Sequence, residues 1–156
     1  MYSSRSDTPL GSIILCADDS SITKCFWDDA HTISTNPSSL TEYYCQSVND
    51  YFNGKPFADD IPLNPTGTEF QCRVWHYLRT IPYGTTMSYR QLSEAMNNKE
   101  AIRAIAHANG CNPIALFIPC HRIIGSDGSL TGYAWGLHRK EWLLHHENAL
   151  VQRQLF

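Results

Sequence analysis

The stretch of this 156-residue chain best equipped for chemistry is Pro119-Cys120-His121-Arg122. A free thiol has a pKa near ~8.5, so little of it is thiolate at neutral pH, and a reactive cysteine needs a base or a positive field close by. His121 and Arg122 could supply both. The apolar run Ile114-Ala115-Leu116-Phe117-Ile118 reads as a buried strand, so a cysteine directly after the proline that stops it would sit on a constrained turn and could be presented to a pocket. Adjacent residues of an extended chain face opposite sides, so His121 can reach Cys120 only through a turn or a bridging water. The plain alternative for any single cysteine is a buried, inert thiol.

A second cluster lies upstream. Projected at about 100° per residue, a helix from Lys99 to about Asn109 places Ala101, Ile105 and Ala108 on one face, with Arg103, Ala106, His107 and Gly110 on the other. The first face is core. The second offers a single cation among small side chains, which lets the backbone approach a partner closely; a solvated surface arginine is the simpler reading of this helix taken alone.

These residues need elements to hold them. Ser88-Tyr89-Arg90-Gln91 is a capping box that opens a short helix to Met96, and Asn97-Asn98 turns the chain and caps the Lys99 helix. Short helix, tight turn and second helix give a helix-turn-helix outline. Thr68 caps an earlier helix carrying Phe70, Val74, Tyr77 and Leu78, which ends before Ile81-Pro82-Tyr83-Gly84. In the first third, Ser12-Cys16 and Ser21-Trp27 flank the turn residues Ala17-Asp18-Asp19-Ser20 and read as a hairpin. Ser38-Ser39 caps a helix with Leu40, Tyr43, Tyr44, Val48, Tyr51 and Phe52, stopped by Asn53-Gly54. This small α/β unit carries no chemical motif and reads as scaffold.

A net charge of −3 argues against a nucleic-acid binder until the chain is divided at the Pro/Gly-rich stretch ending at Gly67. Residues 1–67 carry three Lys/Arg against nine Asp/Glu, whereas residues 68–156 carry nine against six, plus six of the seven histidines. Only the second half, a domain of residues 68–156, is suited to face a polyanion. There is no basic and apolar leader and no run of about eighteen apolar residues, which gives the expectation of a cytosolic protein with no membrane segment. The six cysteines, at positions 16, 25, 45, 72, 111 and 120, are then expected to be reduced thiols.

The run Pro119-Cys120-His121-Arg122-Ile123-Ile124, followed by Gly125-Ser126-Asp127-Gly128-Ser129-Leu130-Thr131-Gly132-Tyr133, resembles the signature of the O6-alkylguanine-DNA alkyltransferases, the methylated-DNA-protein-cysteine methyltransferases. The similarity extends in the family's order through Thr8-Pro9-Leu10-Gly11, Tyr51-Phe52-Asn53-Gly54-Lys55, Gly67-Thr68-Glu69-Phe70-Gln71, Ile81-Pro82-Tyr83-Gly84-Thr85, Ser88-Tyr89, Ala101-Ile102-Arg103-Ala104 and Arg139-Lys140-Glu141-Trp142-Leu143-Leu144. It covers nearly the whole chain.

The resemblance implies an RNase H-like α/β domain over residues 1–67, a small sheet plus a helix. A mostly α, winged-helix or helix-turn-helix-like DNA-binding domain would follow. It also implies a single-turnover, irreversible transfer of an alkyl group from O6-alkylguanine, with O4-alkylthymine as a related substrate, onto Cys120. His121 and Glu147 would form a water-linked relay that deprotonates Cys120, with Asn112 bracing the site. Because the target carbon is buried in the duplex, the nucleotide must be extruded. The resemblance assigns extrusion to Arg103, inserted into the emptied stack, and to Tyr89, which would crowd the adjacent phosphate and donate a proton to the leaving guanine. Ala106 and Gly110 would let the helix enter a minor groove. Ser126, Arg90 and Asn98 match only approximately as phosphate or sugar contacts. The loop bearing Tyr133, Ala134 and Trp135 would close over the base.

Two positions depart from the family pattern. Trp135 stands where glycine is usual, and Cys111 stands where glycine or arginine precedes Asn112. Some members bind zinc through N-terminal Cys and His, but Cys16, Cys25 and His31 do not fall on those positions, so neither metal nor cofactor is expected. The expected partner is double-stranded DNA and the expected state a monomer. The competing readings are a damage binder without transfer, in which tryptophan usually replaces the cysteine, a Cys-His hydrolase, and a helix-turn-helix regulator.

Overall fold

The structure is a computed structural model that describes residues 1–149. The final residues of the expected second domain, 150–156, lie outside the described residues. Two compact units form: Met1–Thr66 with Pro113–Phe117, and Gly67–Asn112 with the chain from Ile118 on. The return of Pro113–Phe117 to the first unit is something a single cut at residue 67 does not describe.

In the first unit, β1 (Tyr2–Thr8), β2 (Gly11–Ala17) and β3 (Ile22–Trp27) form an antiparallel sheet in that order. The expected hairpin is β2–β3; Asp18 makes its turn by accepting the Ser20 and Ser21 amides at 2.9 and 2.7 Å. β1 has no counterpart among the elements expected from sequence. Its buried serines face α1 (Ser39–Phe52) through hydroxyls, Ser4 Oγ lying 2.7 Å from Thr41 Oγ1 and Ser6 Oγ donating to Asn49 Oδ1 at 2.8 Å. Helix α1 starts at Ser38 as expected, but buries Thr41, Cys45, Val48 and Tyr51, leaving Tyr43 68% exposed.

The run Ile114–Ile118 is buried but is not a strand. Only Ile114 pairs, with Cys25. Leu116 then takes φ 72° in a three-residue turn closed by Phe117 N–H to Ala115 O at 2.9 Å, a strained geometry that ends the extension.

The second unit holds α2 (Glu69–Leu78), a two-residue β4 (Met87–Ser88), α3 (Tyr89–Ala95), α4 (Ile102–Gly110), a two-residue β5 (Ile123–Ile124) and α5 (Leu137–His146). Both expected capping boxes form, Thr68 with Gln71 and Ser88 with Gln91. The Trp75 indole of α2 donates to Ala108 O of α4 at 2.9 Å and fixes their packing. The turn between α3 and α4 uses Asn97 at φ 54°. Asn98 does not cap α4 with its side chain; a 3-10 turn, Lys99–Ala101, precedes the helix instead. The parallel β4–β5 pair ties Ser88, the cap of α3, to Ile124 just past the cysteine turn. Among the described residues, no helix is long and apolar enough to cross a membrane.

Candidate functional site

The cysteine is presented by two successive tight turns. Pro119, at φ −81° and ψ 63°, is the centre of an inverse γ-turn in which Cys120 N–H donates to Ile118 O at 2.8 Å. Cys120, His121 and Arg122 then form a single 3-10 turn. The turn that sequence places at Cys120 is present, although no strand leads into it. Asn112 Nδ2 donates to Ile118 O at 2.8 Å and pins the same carbonyl that closes the γ-turn.

Cys120 is buried, and burial raises its thiol above the ordinary value despite the opposing influence of Asn112 and Lys140. The resting group is therefore a thiol. Desolvation outweighs the neighbouring positive charge, so forming the thiolate calls for a base.

The adjacent residue is an imidazole of the type that can serve as one. His121 is fully buried, and its Nε2 lies 2.8 Å from Glu147 Oε2. Glu147 sits at the C-cap of α5, immediately after His146, the last residue of the helix. Burial would raise its carboxyl, but His121 and Arg122 outweigh burial and hold it well below the usual carboxylate range. His121 is shifted down, first by burial and further by Arg122 and Lys140, against the pull of Glu147. An ionised carboxylate only accepts, so Nε2 carries the hydrogen, and in the neutral imidazole Nδ1 is the bare acceptor. Nδ1 is buried without a hydrogen-bond partner among the described residues.

Four residues of this site have roles that the sequence does not assign, Arg122 reading there only as a source of positive field. Arg122 grips Glu147 through Nε at 2.8 Å and Nη2 at 3.1 Å. Lys140, wholly buried, donates to Thr131 O and Gly132 O, each at 3.1 Å, and so ties the Tyr133-Ala134-Trp135 loop to α5. Burial pushes its ammonium down to about 8, with Cys120 opposing. Asn109 is the third, its Nδ2 3.5 Å from Cys120 O. The fourth is Tyr83, whose ring centroid lies 5.7 Å from the Arg122 guanidinium. Lys140 and Tyr83 fall inside stretches that carry the family resemblance, which was the available signal.

Tyr89 is half-buried at the start of α3. Burial raises its phenol most, Asn109 lowers it, and the proximity of Cys120 raises it further. On α4, Arg103 and Gly110 are exposed and Ala106 half-buried, as the projection requires. A Cβ at Gly110 would meet nothing within 4 Å. Arg90, Ser126 and Ala134 are exposed, while Asn98, Tyr133 and Trp135 are half-buried; the Trp135 carbonyl accepts from Arg139 Nη1 at 3.1 Å. The structure thus joins Cys120, His121, Glu147 and Asn112 in one cluster. The α4 residues lie apart on an exposed helix face. Among the described residues, no group of three or more His, Cys, Asp or Glu is placed to hold a metal ion.

A buried thiol on a rigid turn, backed by an imidazole and a carboxylate and carried on a helix-turn-helix unit, defines a thiol-nucleophile protein. Comparison with known proteins gives the family. Residues 1–65 match the model of the 6-O-methylguanine DNA methyltransferase ribonuclease-like domain, and residues 69–149 match that of the same family's DNA-binding domain. A methylated-DNA--protein-cysteine methyltransferase of Methanosarcina acetivorans is 38% identical over 155 residues, covering 96% of this chain and 99% of that protein. One from Shigella flexneri is 47% identical over 119 residues, 76% of this chain and 67% of that one. The Mycobacterium tuberculosis OGT solved in complex with DNA superposes with a TM-score of 0.86 at 37% identity, covering 96% and 94% of the two chains. The chain belongs to the 6-O-methylguanine DNA methyltransferase family, and its two units carry that family's fold.

Proposed function

We propose that this protein repairs O6-alkylguanine in double-stranded DNA by moving the alkyl group, once and irreversibly, onto Cys120. The observation that carries this reading is the buried His121–Glu147 pair, one residue from a thiol that burial keeps protonated. His121 Nδ1 takes the Cys120 proton through a bridging water, and Glu147 stabilises the imidazolium that forms. The thiolate attacks the alkyl carbon, the S–C bond forms as the C–O6 bond breaks, and the electron pair returns to the guanine. Tyr89 gives the guanine a proton and regains one from the relay, so the net change is one proton moved from the thiol to the repaired guanine, which stays in the duplex. The product is a thioether with no electrophilic carbonyl for water to attack, so nothing regenerates Cys120.

Arg103, exposed on α4, fills the stack that the flipped nucleotide leaves. Ala106 and Gly110 let that helix approach the minor groove, and Arg90, Asn98 and Ser126 add backbone contacts. Trp135 narrows the base pocket and favours methyl over bulky groups, while Tyr133 and Ala134 complete the loop over the base. The protein acts as a monomer where chromosomal DNA and a reducing milieu coexist, which is the cytoplasm of a bacterium or the nucleus of a eukaryote; that all six cysteines are unpaired supports this.

The test mixes protein with a duplex carrying O6-methylguanine and digests it for mass spectrometry. A gain of one methylene on the Cys120 peptide and on no other supports the reading; an unmodified Cys120 peptide, with the lesion gone or retained, refutes it.

A further inference from the structure

Three consecutive side chains of one 3-10 turn point into this chemistry, and the third has no place in the proton path above. Arg122 is nevertheless the most heavily tied of the three. Its Nε and Nη2 hold both oxygens of Glu147, its Nη1 donates to Ile81 O at 2.8 Å, and its guanidinium lies 5.7 Å from the Tyr83 ring centroid. Glu147 Oε2 is shared, accepting from Arg122 and from His121. The turn that supplies Ile81 and Tyr83 also reaches the Glu147 backbone. Gly84 there has φ 80°, and a Cβ on it would come within 3.0 Å of Glu147 O.

We propose that Arg122 is the positioning residue of the relay: it grips both oxygens of Glu147, fixes the oxygen that His121 Nε2 faces, and so leaves Nδ1 as the ring nitrogen able to accept the Cys120 proton. Burial disfavours a charge on His121, while Glu147 pulls the other way, toward the imidazolium. The Arg122 cation compensates Glu147 already, so a second cation on His121 is unnecessary. The charged groups facing His121 are Glu147, which favours its protonation, and Arg122 and Lys140, which oppose it. Lysine at position 122 would supply charge without the planar fork that spans two carboxylate oxygens and a carbonyl.

The inference rests on Cys120 being the alkyl acceptor, so its test uses two electrophiles. Cys120 modification is followed against pH by peptide mass spectrometry, in wild type, Arg122→Gln and Arg122→Lys. One reagent is iodoacetamide, which reads thiolate formation by displacement of iodide without DNA; the other is the O6-methylguanine duplex in single turnover. Removing a buried cation makes every neighbouring proton harder to lose. Arg122→Gln is therefore expected to move the acid limb of both profiles up by about one pH unit, so that its rate relative to wild type is about tenfold worse on the acid limb than on the alkaline plateau. Arg122→Lys is expected to keep the limb where it is and lower the rate at every pH. A loss by Arg122→Gln of the same factor at all pH values would mean a merely structural role and overturn the proposal. Wild-type protein gives a check that needs no variant: 15N NMR of the imidazoles at pH 7 should show His121 neutral with hydrogen on Nε2, and an imidazolium or the Nδ1–H form overturns it. Should iodoacetamide show the shifted limb while the duplex leaves Cys120 unmodified, the positioning role stands and the repair reading falls.

Discussion

Replacing Glu147 with glutamine removes one charge and almost no volume, and two consequences can be worked from the site. The first is stability. Glu147 is buried and accepts three hydrogen bonds, two from Arg122 and one from His121. Breaking a buried pair by neutralising one partner costs about 3–5 kcal/mol. At about 2–4 °C per kcal/mol for a chain of this size, Tm should fall by roughly 6–20 °C. The second is rate. A glutamine oxygen can still accept from Arg122, but its amide then faces the His121 Nε2–H, donor against donor. His121 relieves the conflict by moving its hydrogen to Nδ1, which abolishes the acceptor that Cys120 needs. Loss of a general base costs about 10²–10⁴-fold, or about 2.7–5.4 kcal/mol of barrier. The assay is single-turnover methyl transfer from a saturating O6-methylguanine duplex, well below the melting temperature of the variant. Transfer within threefold of the wild-type rate, alongside a lowered Tm, would show that Glu147 serves the fold alone and would refute the relay.

Other outcomes follow from single features. Trp135→Gly should speed transfer of benzyl far more than that of methyl; equal benzyl rates in variant and wild type would remove the gating role of the indole. Gly110→Ala should leave Tm unchanged or slightly raised, because the added methyl meets nothing within 4 Å, yet weaken duplex binding by crowding the groove; unchanged affinity would show that α4 does not approach the backbone so closely. Acid should destabilise the protein in two stages. His121 is shifted down in the fold, so the unfolded chain binds its proton first and stability is lost as pH falls below about 6.5. Glu147 is also shifted down, so its contribution is present above about 4.3 and is lost as pH falls through that value toward its folded one. A Tm that is equal at pH 7 and pH 5 would contradict the first stage.

Elements fixed by local chemistry were readable from the residues. Ser38, Thr68 and Ser88 start their helices because a side-chain oxygen answers an orphan amide, and that pairing is written in three or four residues. β1 was not readable, because its contact with α1 is made by the hydroxyls of Ser4 and Ser6 and leaves no apolar alternation. The run Ile114–Ile118 misled for the converse reason: burial on every side gives the composition of a strand, while two γ-turns give it another shape. In the site, Cys120 and His121 are neighbours in sequence, but Glu147 arrives from 26 residues away and only the family resemblance could pair them. Arg122 looked like a source of positive field for the thiol. Its donors are in fact spent on Glu147 and Ile81, a fact of tertiary packing that spacing does not carry.

The central claim is most directly measured by stoichiometry. Protein is titrated against excess duplex carrying labelled O6-methylguanine, and the label bound per polypeptide is counted at the plateau. The account predicts one methyl per chain, none with Cys120→Ala, and no further transfer on longer incubation. Repair that continues beyond one lesion per chain, or that survives Cys120→Ala, would contradict it.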